Sequence, residues 1–431
     1  MDPTPLAAQL NDTIRDVNPH IHALLSTKGR SAFFPAKGIL AQTAQAKGRR
    51  INATIGMAFE EDGSIMHLPA LASKVSLPAA DIFPYATSYG KKELRETWLR
   101  MMKEKNPSLE GKQVSLPIVT NALTHGLYIA MELLVDPGDE VILPDLFWGN
   151  YKLIFTHGFD ARLQTFTTFT NEAFNIEGLR QALVSRTSDT IVCVLNFPNN
   201  PSGYTPTQHE AHQLTQVLID AADSGKTIAV VCDDAYFGLA YEPDLMKESF
   251  FAAIADAHER ILAVKIDGPT KEDYVWGFRV GFVTFGCRGA NHDVYDALQA
   301  KCAGMVRGSI SNACHLSQSL LLSAYTDPDY ARQKREKFET MNARYHRVRQ
   351  ILDTHPEYAE AFVALPFNSG YFMCVRLVQA DAHAVRETLL DKYDTGVIAT
   401  GSLIRIAFAS CPGDALEELF DNLYRACNDV T

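Results

Sequence analysis

The sequence predicts an α/β protein built on a mainly parallel sheet, on three observations. From about residue 114 short β-rich runs alternate with longer amphipathic stretches, the pattern left by helices that cross between strands. The β-runs are apolar on both faces, as strands covered by helices on each side require. The composition is that of a folded chain, 46% hydrophobic and 21% charged over 431 residues, which excludes disorder, collagen and coiled coil.

The expected strands are VSLPIVT (114–120), EVILP (140–144), ARLQTFT (161–167), TIVCVLNF (190–197), TIAVVCDD (227–234), ILAVKID (261–267) and RVGFVTF (279–285). Between them, HGLYIAMELL (125–134) and PTQHEAHQLTQVLIDAADS (206–224) space their apolar residues three and four apart, as one face of a helix does. After about residue 316 the texture changes. A long charged helix, YARQKREKFETMNARYHRVRQILDTH, precedes strands around GYFMCVRL (370–377) and LIRIAFA (403–409), and DALEELFDNLYRAC closes the chain. The expected division is a large α/β domain (71–315), a small C-terminal α+β domain (316–431), and an N-terminal segment (1–70) packing with the small one.

Charge and cysteine usage exclude several functions. The formal net charge is −11, and the basic residues are scattered rather than grouped, which argues against a nucleic-acid partner. Eight cysteines show no CxxC or metal-type spacing, so no metal is expected and a reducing compartment is the easier reading. The N-terminus holds two prolines and early acids where a signal peptide has a basic end and an apolar stretch. No run reaches the roughly 18 apolar residues of a membrane span. The expectation is a cytoplasmic protein with no membrane contact. No GxGxxG follows a strand, which sets aside a dinucleotide-dependent dehydrogenase.

Four loops fall just past the C-terminal ends of expected strands, where open α/β sheets place ligands. After 190–197 comes PNNPSG (198–203), whose prolines bracket Asn200 in an ordered turn; alone it reads as a plain surface turn rather than a site. After 227–234 the run Asp233-Asp234-Ala235-Tyr236 puts an acid at a buried strand end, where it needs a cationic partner; a helix N-cap is the equal alternative. After 261–267 comes GPTKEDYVWGFRVGF (268–282). Its Lys271 would become a nucleophile towards aldehydes if desolvated beside other cations, although most lysines are solvated surface charges. After 114–120, NALTHGL (121–127) opens a helix whose first amides suit a phosphate, with the Thr124 hydroxyl as a further donor. Trp148, in LFWGNY, can stack on a flat ring or fill core.

Taken in order, NNPSG, the Asp-x-Ala-Tyr strand end, and a lysine eight residues before the arginine of GFRVG resemble the class I/II aminotransferases. These are fold type I enzymes that use pyridoxal 5′-phosphate, and the likeness is nearest to the aspartate/aromatic branch over about residues 50–410. The resemblance implies a mainly parallel seven-stranded sheet between helices plus a smaller α+β domain. It implies that Lys271 binds the cofactor through its amine and later moves the substrate Cα proton. Asp233 would pair with the pyridine nitrogen, and Tyr236 and Asn200 would bond the ring's O3′. Arg279, Thr124 and the amides of Ala122 and Leu123 would cradle the phosphate, and Trp148 would stack on the ring.

By the same resemblance Tyr85 and Ser311 reach the phosphate of a neighbouring subunit, so a homodimer with shared active sites is expected. Arg405 would grip the substrate α-carboxylate; a surface strand arginine is the alternative. Gly56, Trp148 and Asn200 would border the substrate. Arg307 would meet the distal carboxylate of the partner's substrate, with a solvated loop arginine an equal reading. The implied activity is transfer of an amino group between an amino acid such as aspartate, or an aromatic one, and a 2-oxo acid such as 2-oxoglutarate. A pyridoxal-phosphate-dependent lyase or aspartate β-decarboxylase is the nearest alternative, and a cofactor-binding regulator a more distant one. Three positions depart from the family pattern: the phosphate loop Ala122-Leu123-Thr124 lacks its usual glycine, Gly268 stands where a phosphate-binding serine often lies, and Tyr151 replaces the histidine that supports the ring-binding aspartate.

Overall fold

The computed structural model describes residues 4–33 and 38–431. Seven strands form one sheet: β1 (Ile118–Thr120), β2 (Glu140–Pro144), β3 (Arg162–Phe166), β4 (Thr190–Asn196), β5 (Thr227–Asp233), β6 (Ile261–Asp267) and β7 (Gly281–Gly286). Their order is β1-β7-β6-β5-β4-β2-β3. All pairings are parallel except those of β7, which runs antiparallel to both β1 and β6. The mainly parallel seven-stranded sheet expected from the sequence is therefore present.

The central strands are buried along almost their whole length because helices cover both faces. One is α1 (Ala122–Leu134). Another is α2 (Gln208–Asp223), which begins with a reciprocal capping box between Thr207 and Glu210, satisfying two of its free amides. In this sheet two strand boundaries differ from expectation by more than one residue, for local reasons. Of 114–120 only Ile118–Thr120 pairs with β7, while Val114 makes an isolated bridge to Gly286; Pro117 between them has no N–H to give the ladder. The strand expected from residue 279 starts at Gly281, because Arg279 adopts a φ of 56°, outside strand geometry.

A second, antiparallel sheet joins β8 (Phe362–Ala364), β9 (Met373–Leu377), β10 (Ile398–Thr400) and β11 (Leu403–Ile406) in the order β8-β9-β11-β10. The 25-residue α3 (Tyr330–Thr354) and the closing α4 (Ala415–Asp429) belong to the same part of the chain. Ile51–Asn52 pairs in parallel with Thr395–Gly396, which sets the residues after 50 beside this second sheet. Among the described residues no helix is long and apolar enough to cross a membrane.

The parallel register fixes where the loops meet. Asn196 at the end of β4 lies opposite Asp233 at the end of β5, and Asp233 opposite Ile266 near the end of β6. The turns after these strands therefore open at one edge of the sheet, facing β11.

Candidate active site

A cavity of about 740 Å³ opens at that edge. Its walls include Gly56, Ala122, Leu123, Thr124, Trp148, Asn200, Asp233, Tyr236, Lys271, Arg279 and Arg405. Eleven of the residues singled out in the sequence, contributed by seven separate segments, thus converge on one space. Tyr85, Ser311 and Arg307 do not line it. Tyr85 is 91% exposed, and Arg307 donates to the Ser311 hydroxyl at 2.8 Å. Ser88 in turn donates to the Ser311 carbonyl at 2.8 Å, so the three lie together on the surface outside the cavity of their own chain.

At the deep end Asp233 is 3% exposed. Its Oδ1 accepts the Ala235 N–H at 3.1 Å and its Oδ2 accepts the Tyr151 hydroxyl at 2.5 Å. Burial raises this carboxyl above the usual range, with the Tyr151 bond and the Lys271 charge opposing. Tyr151 is itself enclosed, and its phenol is pushed up by burial and by the neighbouring acid. It supplies the supporting donor that the sequence departure had put in question, as a neutral hydroxyl rather than an imidazole. The Asn196 amide donates to the Asp233 carbonyl at 2.7 Å and accepts the Asn200 N–H at 2.8 Å, which ties the NNPSG turn to the acid.

Lys271 follows β6 on the short turn Pro269–Glu272. Its Nζ lies 5.0 Å from the centre of the Tyr236 ring and meets no carboxylate at ion-pair distance among the described residues. Burial pushes its amine down to about 8, Asp233 opposing and Arg279 adding to the shift. The Tyr236 phenol is pushed up by burial, with Arg405 opposing. Arg405, on β11, is 6% exposed. It donates to the Thr54 carbonyl at 3.0 Å and to Asn200 Oδ1 at 3.3 Å, and its guanidinium lies 4.3 Å from the Phe372 ring centre.

The start of α1 suits a phosphate. Asn121 makes no side-chain cap to α1, so the first-turn amides of that helix are free for an anion. Ala122 holds a φ of 59°, the left-handed conformation that the absent glycine would adopt freely. A Cβ at Gly281 would come within 2.6 Å of the Ala122 carbonyl carbon and 2.9 Å of the Leu123 nitrogen, so β7 presses directly on this loop. A Cβ at Gly268 would lie 2.8 Å from the Val280 carbonyl; the serine expected there by resemblance has no room, and the departure is built into the packing. Arg279 also lines this space, and burial lowers its guanidinium.

A half-buried lysine with a depressed amine, an enclosed acid, and two arginines in the same wall define a site suited to a small phosphorylated aldehyde and a carboxylate. Thr270 Oγ1, Trp276 Nε1, His157 Nδ1 and Arg405 Nε line the cavity or point along its wall, buried without a partner. Such orphaned groups are expected where a ligand completes the hydrogen bonding.

The chain belongs to the aminotransferase class I and II family, whose model matches residues 68–423, and enzymes of this family depend on pyridoxal phosphate. Among curated relatives, an aspartate aminotransferase of Bacillus sp. (strain YM-2) is 26% identical over 259 residues, 59% of this chain and 60% of that protein. One from Thermotoga maritima is 29% identical over 205 residues, 46% of this chain and 49% of that protein. The matches thus span about 60% or less of these relatives' lengths. Among solved structures, an aminotransferase of Anaerococcus prevotii superposes with a TM-score of 0.81 at 23% identity, covering 94% of this chain and 99% of that one. The cytoplasmic aspartate aminotransferase of Saccharomyces cerevisiae gives 0.76 at 17% identity, covering 93% and 98%. These likenesses establish the fold.

Sequence reasoning missed several wall residues. Thr54, Lys152, Leu153, His157, Trp276 and Phe372 all line the cavity. So do Phe33, Ile39 and Gln42, from the N-terminal segment expected only to pack on the small domain.

Proposed function

We propose that this protein is an aminotransferase that moves an amino group between an acidic amino acid such as aspartate and a 2-oxo acid such as 2-oxoglutarate. The observation that supports it most is the Lys271 amine, pushed down to about 8 by burial with Asp233 opposing, in one cavity with Asp233 and Arg405. Pyridoxal phosphate, when bound, supplies an aldehyde and an electron-withdrawing ring. Lys271 would bind that aldehyde and take the Cα proton of the substrate. Asp233, steadied by Tyr151, would keep the ring nitrogen protonated. Asn200 and Tyr236 would bond the ring oxygen, and Trp148 would cover the ring. Thr124, Arg279 and the amides of Ala122 and Leu123 would hold the phosphate. Arg405 would take the α-carboxylate beside Gly56, its Nε being free for it.

A homodimer is the second part of the reading. Phe83 is 81% exposed and Val75 66% exposed, close in sequence to Tyr85, and this apolar strip adjoins Ser311 and Arg307 through Ser88. A second copy would cover it and bring Tyr85 and Ser311 to the partner's site. The division into a large domain (71–315), a small one (316–431) and an N-terminal segment (1–70) accords with the separation of the seven-stranded sheet from the four-stranded one. A cytoplasmic location accords with eight cysteines, none in a disulfide.

The test is half-reaction spectroscopy of the purified holoenzyme against a panel of amino acids, with product identification. Aspartate should give oxaloacetate, and Lys271→Ala should abolish both the reaction and the covalent cofactor absorbance. Alanine plus carbon dioxide from aspartate would instead mean β-decarboxylation.

A further inference from the structure

The cavity wall holds more basic side chains than this reading uses. Among the described residues that line it Asp233 is the one carboxylate, whereas Lys152, His157, Lys271, Arg279, His383 and Arg405 are basic. With Lys271 and Arg279 turned to the cofactor and Arg405 to the α-carboxylate, three basic side chains remain. Of these Lys152 carries a full positive charge, and an unused charge in a partly enclosed cleft favours a further anion, because low-dielectric walls focus the field.

Lys152 and His157 arrive through an unusual piece of backbone. Lys152–Gly158 is wound as a π-helix over seven residues, a rare form with i→i+5 hydrogen bonds that is frequent at functional sites. At 3.6 residues per turn, two positions five apart would point about 140° away from each other. The wider winding turns Lys152, Leu153 and His157 all towards the cavity. The stretch starts four residues after Trp148, which lines the same space.

Neither side chain has a structural occupation that accounts for it. Lys152 is exposed to solvent at the cavity wall, its Nζ 5.6 Å from the Phe147 ring centre, with no carboxylate at ion-pair distance among the described residues. The His157 ring stands edge-on to Phe33 at 5.2 Å and 89°, and its Nδ1 is buried without a partner. Burial holds this imidazole below its ordinary value, so His157 offers a neutral hydrogen bond while Lys152 supplies the charge. Arg307 lies outside the cavity and is engaged with Ser311.

The geometry points to Lys152 and His157 as the groups that hold the side-chain carboxylate of the substrate, from the same subunit that supplies Lys271. This rests on the aminotransferase reading of the same cavity and makes acid selectivity a property of the π-wound segment.

The experiment compares kcat/KM of the holoenzyme for glutamate and for norvaline, which has the same carbon chain without the carboxylate, together with inhibition by glutarate and by valerate. Lys152→Met is expected to lower the glutamate-to-norvaline ratio at least about tenfold and to weaken glutarate but not valerate. His157→Gln should lower the ratio by about threefold, and Lys152→Glu should invert it. A ratio unchanged in both Lys152 variants, or a fall seen only with Arg307→Leu, overturns the assignment. A wild-type holoenzyme that transaminates neither amino acid overturns the aminotransferase reading, and this inference with it.

Discussion

Replacing Lys271 by methionine should make the cofactor-free chain more stable at neutral pH, because it removes a charge that the fold encloses without a direct partner. Burial lowers the amine from an ordinary 10.5 to about 8, Asp233 opposing and Arg279 adding. A folded-state value below the unfolded one means that the unfolded chain binds this proton more tightly. Above about 10.5 the amine is neutral in both states and has no effect. As pH falls from about 10.5 to 8 only the unfolded chain takes up the proton, and stability drops; below about 8 the whole penalty is present. At about 1.36 kcal/mol per pH unit the gap amounts to about 3 kcal/mol at pH 7, about 2 at pH 9 and almost nothing at pH 11. Methionine keeps a similar stem, so little packing is lost with the charge. Urea denaturation of both cofactor-free chains at the three pH values measures the difference. A gain that does not fade with rising pH, or a variant less stable at pH 7, would refute the reasoning.

Three further outcomes follow from the same geometry. Tyr151→Phe leaves one lone pair of a buried carboxylate unpaired, a loss of about 1–3 kcal/mol; pyridoxal phosphate affinity, followed by fluorescence titration, should fall about tenfold with the circular dichroism unchanged, and an unaltered affinity would disprove the support role. Gly281→Ala forces a methyl group onto Ala122 and Leu123 and should destabilise by about 1–3 kcal/mol. It should also narrow the preference for pyridoxal phosphate over pyridoxal, and a preserved preference would separate β7 from the phosphate loop. Arg405→Lys replaces a planar fork by a point charge and should lower kcat/KM about 100-fold for acidic and neutral amino acids alike; a loss confined to acidic ones would move Arg405 to the side-chain end.

Asn200, Asp233 and Lys271 were legible because each sits at or just past the end of an apolar strand, within a few residues of a turn that local sequence marks, and Arg279 because it comes just before the start of the next one. What joins residues far apart was not. The Tyr151 hydroxyl reaches Asp233 only because the sheet order sets β2 two strands from β5; its letter reads merely as a missing histidine. The winding of Lys152–Gly158 leaves no period that tells it from an α-helix. Gln42 is fastened by its side-chain amide to both backbone groups of Ala399, at 3.0 and 2.8 Å, across 357 positions of sequence, and no turn or motif announces it. The strand expected at 279 failed for the opposite reason: its apolar pattern was correct, but Arg279 takes a positive φ that periodicity does not register.

Lys265 and Lys271 show why burial alone does not make a lysine reactive. They stand six residues apart, Lys265 fully buried and Lys271 half-buried in the cavity wall. Lys265 bonds Asp234 and, at 3.0 Å, Asp267. Burial lowers its amine, but the two carboxylates outweigh that and hold it above its ordinary value. The turn bearing Lys271 needs anchoring as well, and it is held through its neighbours. Glu272 takes ion pairs from Lys105 and Lys334 at 2.6 Å each. Asp273 takes one from Lys334 at 2.9 Å and hydroxyl bonds from Tyr325 and Tyr330. Tyr371 donates to the carbonyl of Lys271 itself at 3.0 Å. A carboxylate placed against the Lys271 amine would anchor the turn equally well, but it would favour the protonated form and leave no nucleophile at neutral pH. Because the two acids that follow it and its own backbone carbonyl fix the position, the amine can lose its proton without loosening the turn.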